Sequence, residues 1–137
     1  MMGSGGFTLI ETIVVLVILG LALTIVAGFI PRRNTTLELA MAAERVASTL
    51  RLARARAITQ GRPVIVAASA DGRALAVDGV AQAVPPSVAV TMAGPPAIRF
   101  APDGSASGGA IRVQVPGRAR LVRVDWLTGR VSIADAL

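Results

Sequence analysis

An apolar run near the amino terminus limits what this chain of 137 residues can fold into. From Phe7 to Ile30 there are 24 residues, and only one of them, Glu11, is charged. A helix rises about 1.5 Å per residue, so a helix of this length reaches about 36 Å and can cross a bilayer with some tilt. The run also lacks the polar face that a helix on a soluble domain shows. It predicts a membrane-spanning helix over residues 7–30.

The single carboxylate of this run stands near its start. A charge costs about 2.5–3.5 kcal/mol at the centre of a bilayer and less near an end, so Glu11 fits a side chain that reaches the interface. The dipeptide Gly5-Gly6 suggests a second interpretation, because cleavage after Gly6 would give Phe7 a free ammonium group. Opposite charges in an apolar phase pair strongly. Glu11 could then pair with Phe7 at i and i+4 of one helix, or with the amino terminus of another copy.

The residues from Gly6 to Glu11, followed by the Val, Ile and Leu run, resemble the class III signal of type IV pilins and type II secretion pseudopilins. The resemblance implies that residues 1–6 are a leader and that a prepilin peptidase cuts between Gly6 and Phe7. It further implies that Phe7 is then N-methylated and that Glu11 guides subunits into a filament. Leaders of this family usually contain Lys or Arg, and residues 1–6 contain neither.

Two signals disagree about the orientation of the predicted span. Arg32 and Arg33 follow its far end, and by the positive-inside rule they predict that this end is cytoplasmic. The resemblance implies the opposite: a single-pass protein of the bacterial inner membrane with its C-terminal domain in the periplasm. We follow the processing motif because it is the more specific signal.

Residues 31–62 predict an amphipathic soluble half of the helix. Asn34, Thr35 or Thr36 can cap a continuing or restarting helix, and Gly61 can end it. Apolar residues then recur at alternating spacings of four and three, which places them on one helical face. They are Leu39, Ala43, Val46, Leu50, Ala53 and Ala57. We expect this stripe to pack on the following domain, with a membrane surface as the alternative.

From Pro63 onward the apolar period changes from 3.6 to 2, and turn residues recur every few positions. Residues 63–137 therefore predict about seven short antiparallel strands, with 80–84 read as a weak strand or a loop. Strands beside one long helix indicate an α+β fold. The sequence thus predicts a β-rich domain over residues 63–137.

Three segments sharpen the resemblance. Residues 54–64, the loop 100–109 and the ending 127–131 resemble the GspH/FimT family of type IV pilin-like proteins. The resemblance implies a pilin-like fold in which the long helix packs on a C-terminal antiparallel β-sandwich. It also implies a minor pseudopilin of the type II secretion system. Such a subunit stands at or near the tip of the periplasmic pseudopilus and helps export folded proteins across the outer membrane.

The partners that follow from this resemblance are proteins and a membrane. They are other minor pseudopilins, the major pseudopilin, prepilin peptidase, the inner-membrane assembly platform and the inner membrane itself. The alternative within the same family is a FimT/FimU-like minor pilin of a type IV pilus, acting in pilus assembly or in DNA binding and uptake.

The composition argues against an enzyme. The chain has no His and no Cys, which removes the commonest general base and the thiol nucleophile. Asp103 with Ser105 and Ser107 could offer oxygens to a cation, but Asp in such a loop more often holds its own turn. The sequence therefore predicts no catalytic residue, no metal site and no cofactor.

A basic surface keeps the nucleic-acid alternative open. All 14 basic residues are Arg, and the part after Ile30 holds 14 of them against seven acidic residues, a formal charge of +7. Guanidinium groups can contact phosphates without reading sequence. The candidate DNA contacts under this alternative are Arg118, Arg120, Arg123 and Arg130. Phe100 and Trp126 could stack on bases, but we expect both in the core.

Overall fold

The computed structural model describes residues 5–28 and 34–136, which fall into two compact units. The first unit contains one helix, α1 (Leu9–Gly28), which is long and apolar enough to cross a membrane by length and composition. It begins two residues after Phe7, where the sequence predicts the span to start. Other predicted features lie outside the described residues: most of the leader, the end of the span at Ile30, and Arg32 and Arg33.

The second unit begins with helix α2 (Thr35–Gln60). Asn34 is its N-cap, because this residue is extended and its side-chain oxygen accepts a hydrogen bond from the Leu37 amide at 3.4 Å. Gly61 ends the helix in the left-handed conformation, at φ +64°. Because α2 has its own N-cap, it is a restarting helix, one of the two possibilities that the sequence allows for residues 31–62.

One face of α2 is buried, and it is the face that the sequence predicts. The six stripe residues are all in the core, and Ala42 and Ala47 join them between the predicted positions. Strands of two sheets cover this face. It is therefore not available to a membrane surface, and the packing interpretation of the stripe is confirmed.

Eight strands follow α2 in the part of the chain that the structure describes. They are β1 (Val64–Ala68), β2 (Ala74–Val77), β3 (Val80–Ala83), β4 (Ala89–Ala93), β5 (Ile98–Phe100), β6 (Gly109–Val115), β7 (Arg118–Val124) and β8 (Val131–Asp135). They form two antiparallel sheets of four strands, in the orders β3-β2-β1-β5 and β4-β6-β7-β8.

One hydrophobic core lies between these sheets and the helix. Helix α2 packs on β1 and β5 of the first sheet and on β6, β7 and β8 of the second. Phe100, Leu50 and Ile111 are among the largest side chains that are completely buried. The fold of this unit is α+β, with helix α2 packed on a β-sandwich as the sequence predicts.

Residues Val80–Ala83 form strand β3, whereas the sequence predicts only a weak strand or a loop over residues 80–84. Its four side chains are all exposed, so it has no alternation of apolar and polar residues to signal a strand. The hairpin forms because Asp78 (φ +50°) and Gly79 (φ +81°) both have the positive φ that a two-residue turn needs. The Asp78 carboxylate accepts hydrogen bonds from the Ile65 amide at 3.0 Å and from Arg62 at 2.9 Å, which lowers its pKa.

Candidate functional site

The residues around the predicted cleavage bond precede α1. Gly6, Phe7 and Thr8 are exposed and non-helical, and a Cβ added at Gly6 would meet no described atom within 4 Å. Thr8 caps the helix, because its carbonyl and its hydroxyl accept hydrogen bonds from the Glu11 amide at 3.0 and 3.3 Å. The bond between Gly6 and Phe7 thus lies in an exposed segment before the helix.

Glu11 lies in the first turn of α1 and is the one charged residue of that helix. Its side chain is exposed, near the helix end whose dipole favours a negative charge. Phe7 stands before the first turn, so the helical i, i+4 spacing considered for these two groups does not apply in the uncleaved chain. Pairing between subunits needs no such spacing and stays a prediction.

The three segments that carry the sequence resemblance meet at Arg54. The Arg54 Nε donates a hydrogen bond to the Gly104 carbonyl at 2.8 Å. Gly129 lies directly against this pair: a Cβ added there would overlap the Gly104 carbonyl oxygen and lie 2.7 Å from Arg54 Nε. The half-buried guanidinium therefore holds the 100–105 loop beside the loop between β7 and β8. The sequence places Arg54 in the first of these segments but does not predict the junction, because no spacing rule relates residues so far apart.

Asp103, considered above as a ligand for a cation, instead holds a local turn. One Asp103 carboxylate oxygen accepts hydrogen bonds from the Ser105 amide at 2.9 Å and the Ser105 hydroxyl at 2.6 Å, and these bonds lower the Asp103 pKa. The Ser107 hydroxyl instead accepts a hydrogen bond from the Arg99 amide at 3.0 Å. The described residues contain no cluster of three or more carboxylates that could hold a metal ion.

A second aspartate organises the loop between β7 and β8. One Asp125 carboxylate oxygen accepts hydrogen bonds from the Thr128 amide and hydroxyl, both at 2.8 Å, and from the Leu127 amide at 3.1 Å. These bonds, those of Thr128 first, lower the Asp125 pKa. The Gly129 amide donates to the Asp125 carbonyl at 2.9 Å, which closes the turn that places Arg130 at its end.

The structure does not bring the four candidate DNA contacts together. Arg118 and Arg120 lie on the helix-facing side of β7: Arg118 donates to the Thr36 hydroxyl at 2.6 Å, and Arg120 pairs with Asp135 at 3.1 Å. Arg123 is exposed on the opposite face of the strand, because alternate side chains of a strand point to opposite faces.

The fourth of these arginines has different neighbours. Arg130 lines a cleft together with Arg51 and Arg54 of α2, and the sequence predicts neither of these two as a contact. The four arginines therefore occupy three separate places.

The two aromatic candidates have opposite environments. Phe100 is fully buried on β5, as predicted. Trp126 is 65% exposed, so its prediction as a core residue is wrong. Strand β7 ends at Val124, so Trp126 does not occupy an inward-facing strand position, and it lies in the loop between β7 and β8, against Gly108.

Comparison with protein families identifies both parts of the chain. The model of the family "Type II transport protein GspH" matches residues 42–129, more than half of the 137 residues. The model of the "Prokaryotic N-terminal methylation motif" matches residues 1–27. No curated protein matches the sequence.

Solved structures of pilin-like proteins share the fold. The type IV minor pilin FimU of Pseudomonas aeruginosa aligns with a TM-score of 0.58 and 18% identity, over 72% of this chain and 90% of FimU. The minor pseudopilin EpsH from the type 2 secretion system of Vibrio cholerae aligns with a TM-score of 0.56 and 16% identity, over 72% of this chain and 97% of EpsH. At these identities the similarity establishes the fold alone.

Proposed function

The chain belongs to the GspH family of type II transport proteins, and on that premise we propose that it is a minor pseudopilin of the type II secretion system. It would stand at or near the tip of the periplasmic pseudopilus and help export folded proteins across the outer membrane. The observation that carries the proposal is the order of parts along the chain: an N-terminal methylation motif with a helix of membrane-spanning length, followed by the GspH domain. The family and the fold are those of structural proteins, not enzymes.

In this proposal the two units have different tasks. Helix α1 anchors the subunit in the bacterial inner membrane before assembly and supplies the filament spine afterwards. The domain from Asn34 onward lies in the periplasm and contacts other minor pseudopilins, the major pseudopilin or an exported protein. Extraction of the subunit from the membrane and its insertion into the filament would depend on the inner-membrane assembly platform.

The first test is processing. We propose that prepilin peptidase cuts the bond between Gly6 and Phe7 and that Phe7 is then N-methylated. Intact-mass measurement after co-expression with the peptidase should show loss of residues 1–6 and one added methyl group. A Gly6→Val variant should stay uncut, because a branched side chain beside the scissile bond would hinder the approach of the peptidase, while the chain itself has room for it. An uncut wild-type chain would reject this part of the proposal.

The second test addresses Glu11. A carboxylate in an apolar phase needs a counter-ion, and the free amino terminus of a neighbouring subunit is the partner that we propose. Glu11→Gln keeps the size and removes the charge, so crosslinking to the major pseudopilin in cells should fall about tenfold, the effect of losing about 1.4 kcal/mol. Thr12→Val, one residue along the same helix, is the matched control and should leave crosslinking unchanged. Equal crosslinking of Glu11→Gln and wild type would exclude the pairing.

The alternative is a FimT/FimU-like minor pilin that acts in pilus assembly or in DNA binding and uptake. The shared fold with FimU supports it. Against it, the four candidate arginines form no continuous row: Arg120 is paired with Asp135, and Arg123 and Arg130 lie apart. A track for a phosphate backbone needs several accessible cations in sequence. We therefore place secretion first.

A further inference from the structure

A cleft of about 430 Å³ opens between the middle of α2 and the loop that joins β7 to β8. Helix α2 contributes Arg51 and Arg54, which are three residues apart and so share a face. The loop contributes Thr128, Gly129 and Arg130. Three arginines thus line one small cleft, which has no role in the function proposed above.

Arg54 is the fixed part of this cleft. Its side chain is half-buried, and the bond to the Gly104 carbonyl uses only Nε, one of its three nitrogens. Among the described residues no carboxylate lies within 4.0 Å of it. A guanidinium that is held in position and partly withdrawn from water, without a counter-ion, favours an incoming anion.

The other two arginines are exposed and weakly engaged. Arg51 meets Glu44 at 3.5 Å, but both side chains are more than half exposed, and pairs of that kind contribute little. Arg130 has no carboxylate within 4.0 Å among the described residues. The nearest acidic group of its own loop, Asp125, already accepts three hydrogen bonds there. The cleft therefore keeps a net positive charge.

The loop beside the cleft also exposes apolar side chains. Trp126 and Leu127 are 65% and 64% exposed, immediately before Thr128. Trp and Arg are the residue types that most often dominate the energy of protein–protein interfaces. Their presence in one loop favours a protein partner over a free anion.

We propose that this cleft docks an acidic segment of a neighbouring subunit, with Asp or Glu carboxylates bound by Arg51, Arg54 and Arg130. The planar fork of a guanidinium matches a carboxylate bidentately. A protein segment fits better than nucleic acid, because the exposed Trp126 and Leu127 of the same loop offer the cleft an apolar rim. The identity of the partner as a neighbouring subunit rests on the proposed function, whereas the binding of carboxylates by the cleft can be tested without it.

The test is a binding titration on the full chain in detergent micelles at low salt, with fluorescein-labelled hexaglutamate as the probe. Arg51→Gln/Arg130→Gln removes two exposed charges from the cleft and leaves the Arg54 bond intact. The matched control, Arg45→Gln/Arg123→Gln, removes two exposed charges elsewhere, so both variants have the same net charge. We expect the cleft variant to bind about tenfold more weakly than the control, because charge-assisted hydrogen bonds are lost only there.

Three results would overturn the proposal. The first is that the wild type does not bind hexaglutamate, and the second is that both variants bind it equally more weakly. The third is that the cleft variant loses binding of single-stranded oligothymidylate but keeps binding of hexaglutamate. The last would assign the cleft to nucleic acid. Because the titration needs no filament, a chain that binds hexaglutamate in the cleft but has no part in secretion would reject the proposed function alone.

Discussion

At the scale of single residues, the junction around Arg54 depends on two glycines. The Arg54 side chain runs beside Gly104 and Gly129, and both glycines have positive φ, +89° and +66°. Gly129 has a second constraint, since any Cβ would enter the space of the Gly104 carbonyl and of Arg54 itself. The close approach of the loop to the helix therefore requires glycine at position 129.

Gly129→Ala tests this junction. We expect it to lower the free energy of unfolding by about 2–5 kcal/mol, from about 1–2 for a left-handed Ala and about 1–3 for overpacking. Gly61→Ala is the matched control: its φ is +64°, but no described atom lies within 4 Å of the added Cβ. Urea unfolding of the full chain in micelles, followed by circular dichroism, measures both. Equal losses would mean that backbone conformation alone, not the contact with Arg54, sets the cost.

Residue environments could be predicted from sequence only where the cause is local. The Asp103 turn was predictable, because the bonds that hold it reach only two residues along the chain. The positions of Trp126 and Arg54 were not, because each depends on a loop between strands meeting another part of the fold.

At the scale of elements, α2 is the best specified part of the chain. Its N-cap, its buried stripe and its C-terminal glycine are all local features, so the sequence predicts the stripe and Gly61 and limits the N-cap to Asn34, Thr35 or Thr36. Strand β3 is the opposite case. Its exposed side chains have no pattern, and its pairing with β2 comes from the turn at Asp78 and Gly79.

A pair of leucines on α2 tests the predicted stripe. Leu50 is fully buried in the core, whereas Leu52 is 50% exposed on the same helix. Leu50→Ala should lower the free energy of unfolding by about 2–5 kcal/mol, because it leaves a cavity in the core. Leu52→Ala should change it by about 0.5 kcal/mol or less. The same urea titration measures both variants, and comparable losses would contradict the orientation of α2 in the core.

At the scale of the whole molecule, the order of parts was predictable and the pairing of strands was not. Apolar length separates α1 from the rest, and the change of period at Pro63 separates α2 from the strands. The pairings of β1 with β5 and of β4 with β6 join segments far apart in sequence. No local pattern encodes such register, so the shape of the Arg51, Arg54 and Arg130 cleft becomes visible only in the folded domain.

The central claim, that this chain is a secretion pseudopilin, is tested most directly by deleting its gene in the source bacterium. Enzymes in the culture supernatant and uptake of added DNA are measured together, with a plasmid copy of the wild-type gene as the control. The account predicts loss of extracellular enzymes, restored by the plasmid, with normal DNA uptake. Normal secretion, with or without lost uptake, would contradict it, and lost uptake would identify the chain as a minor pilin for DNA uptake.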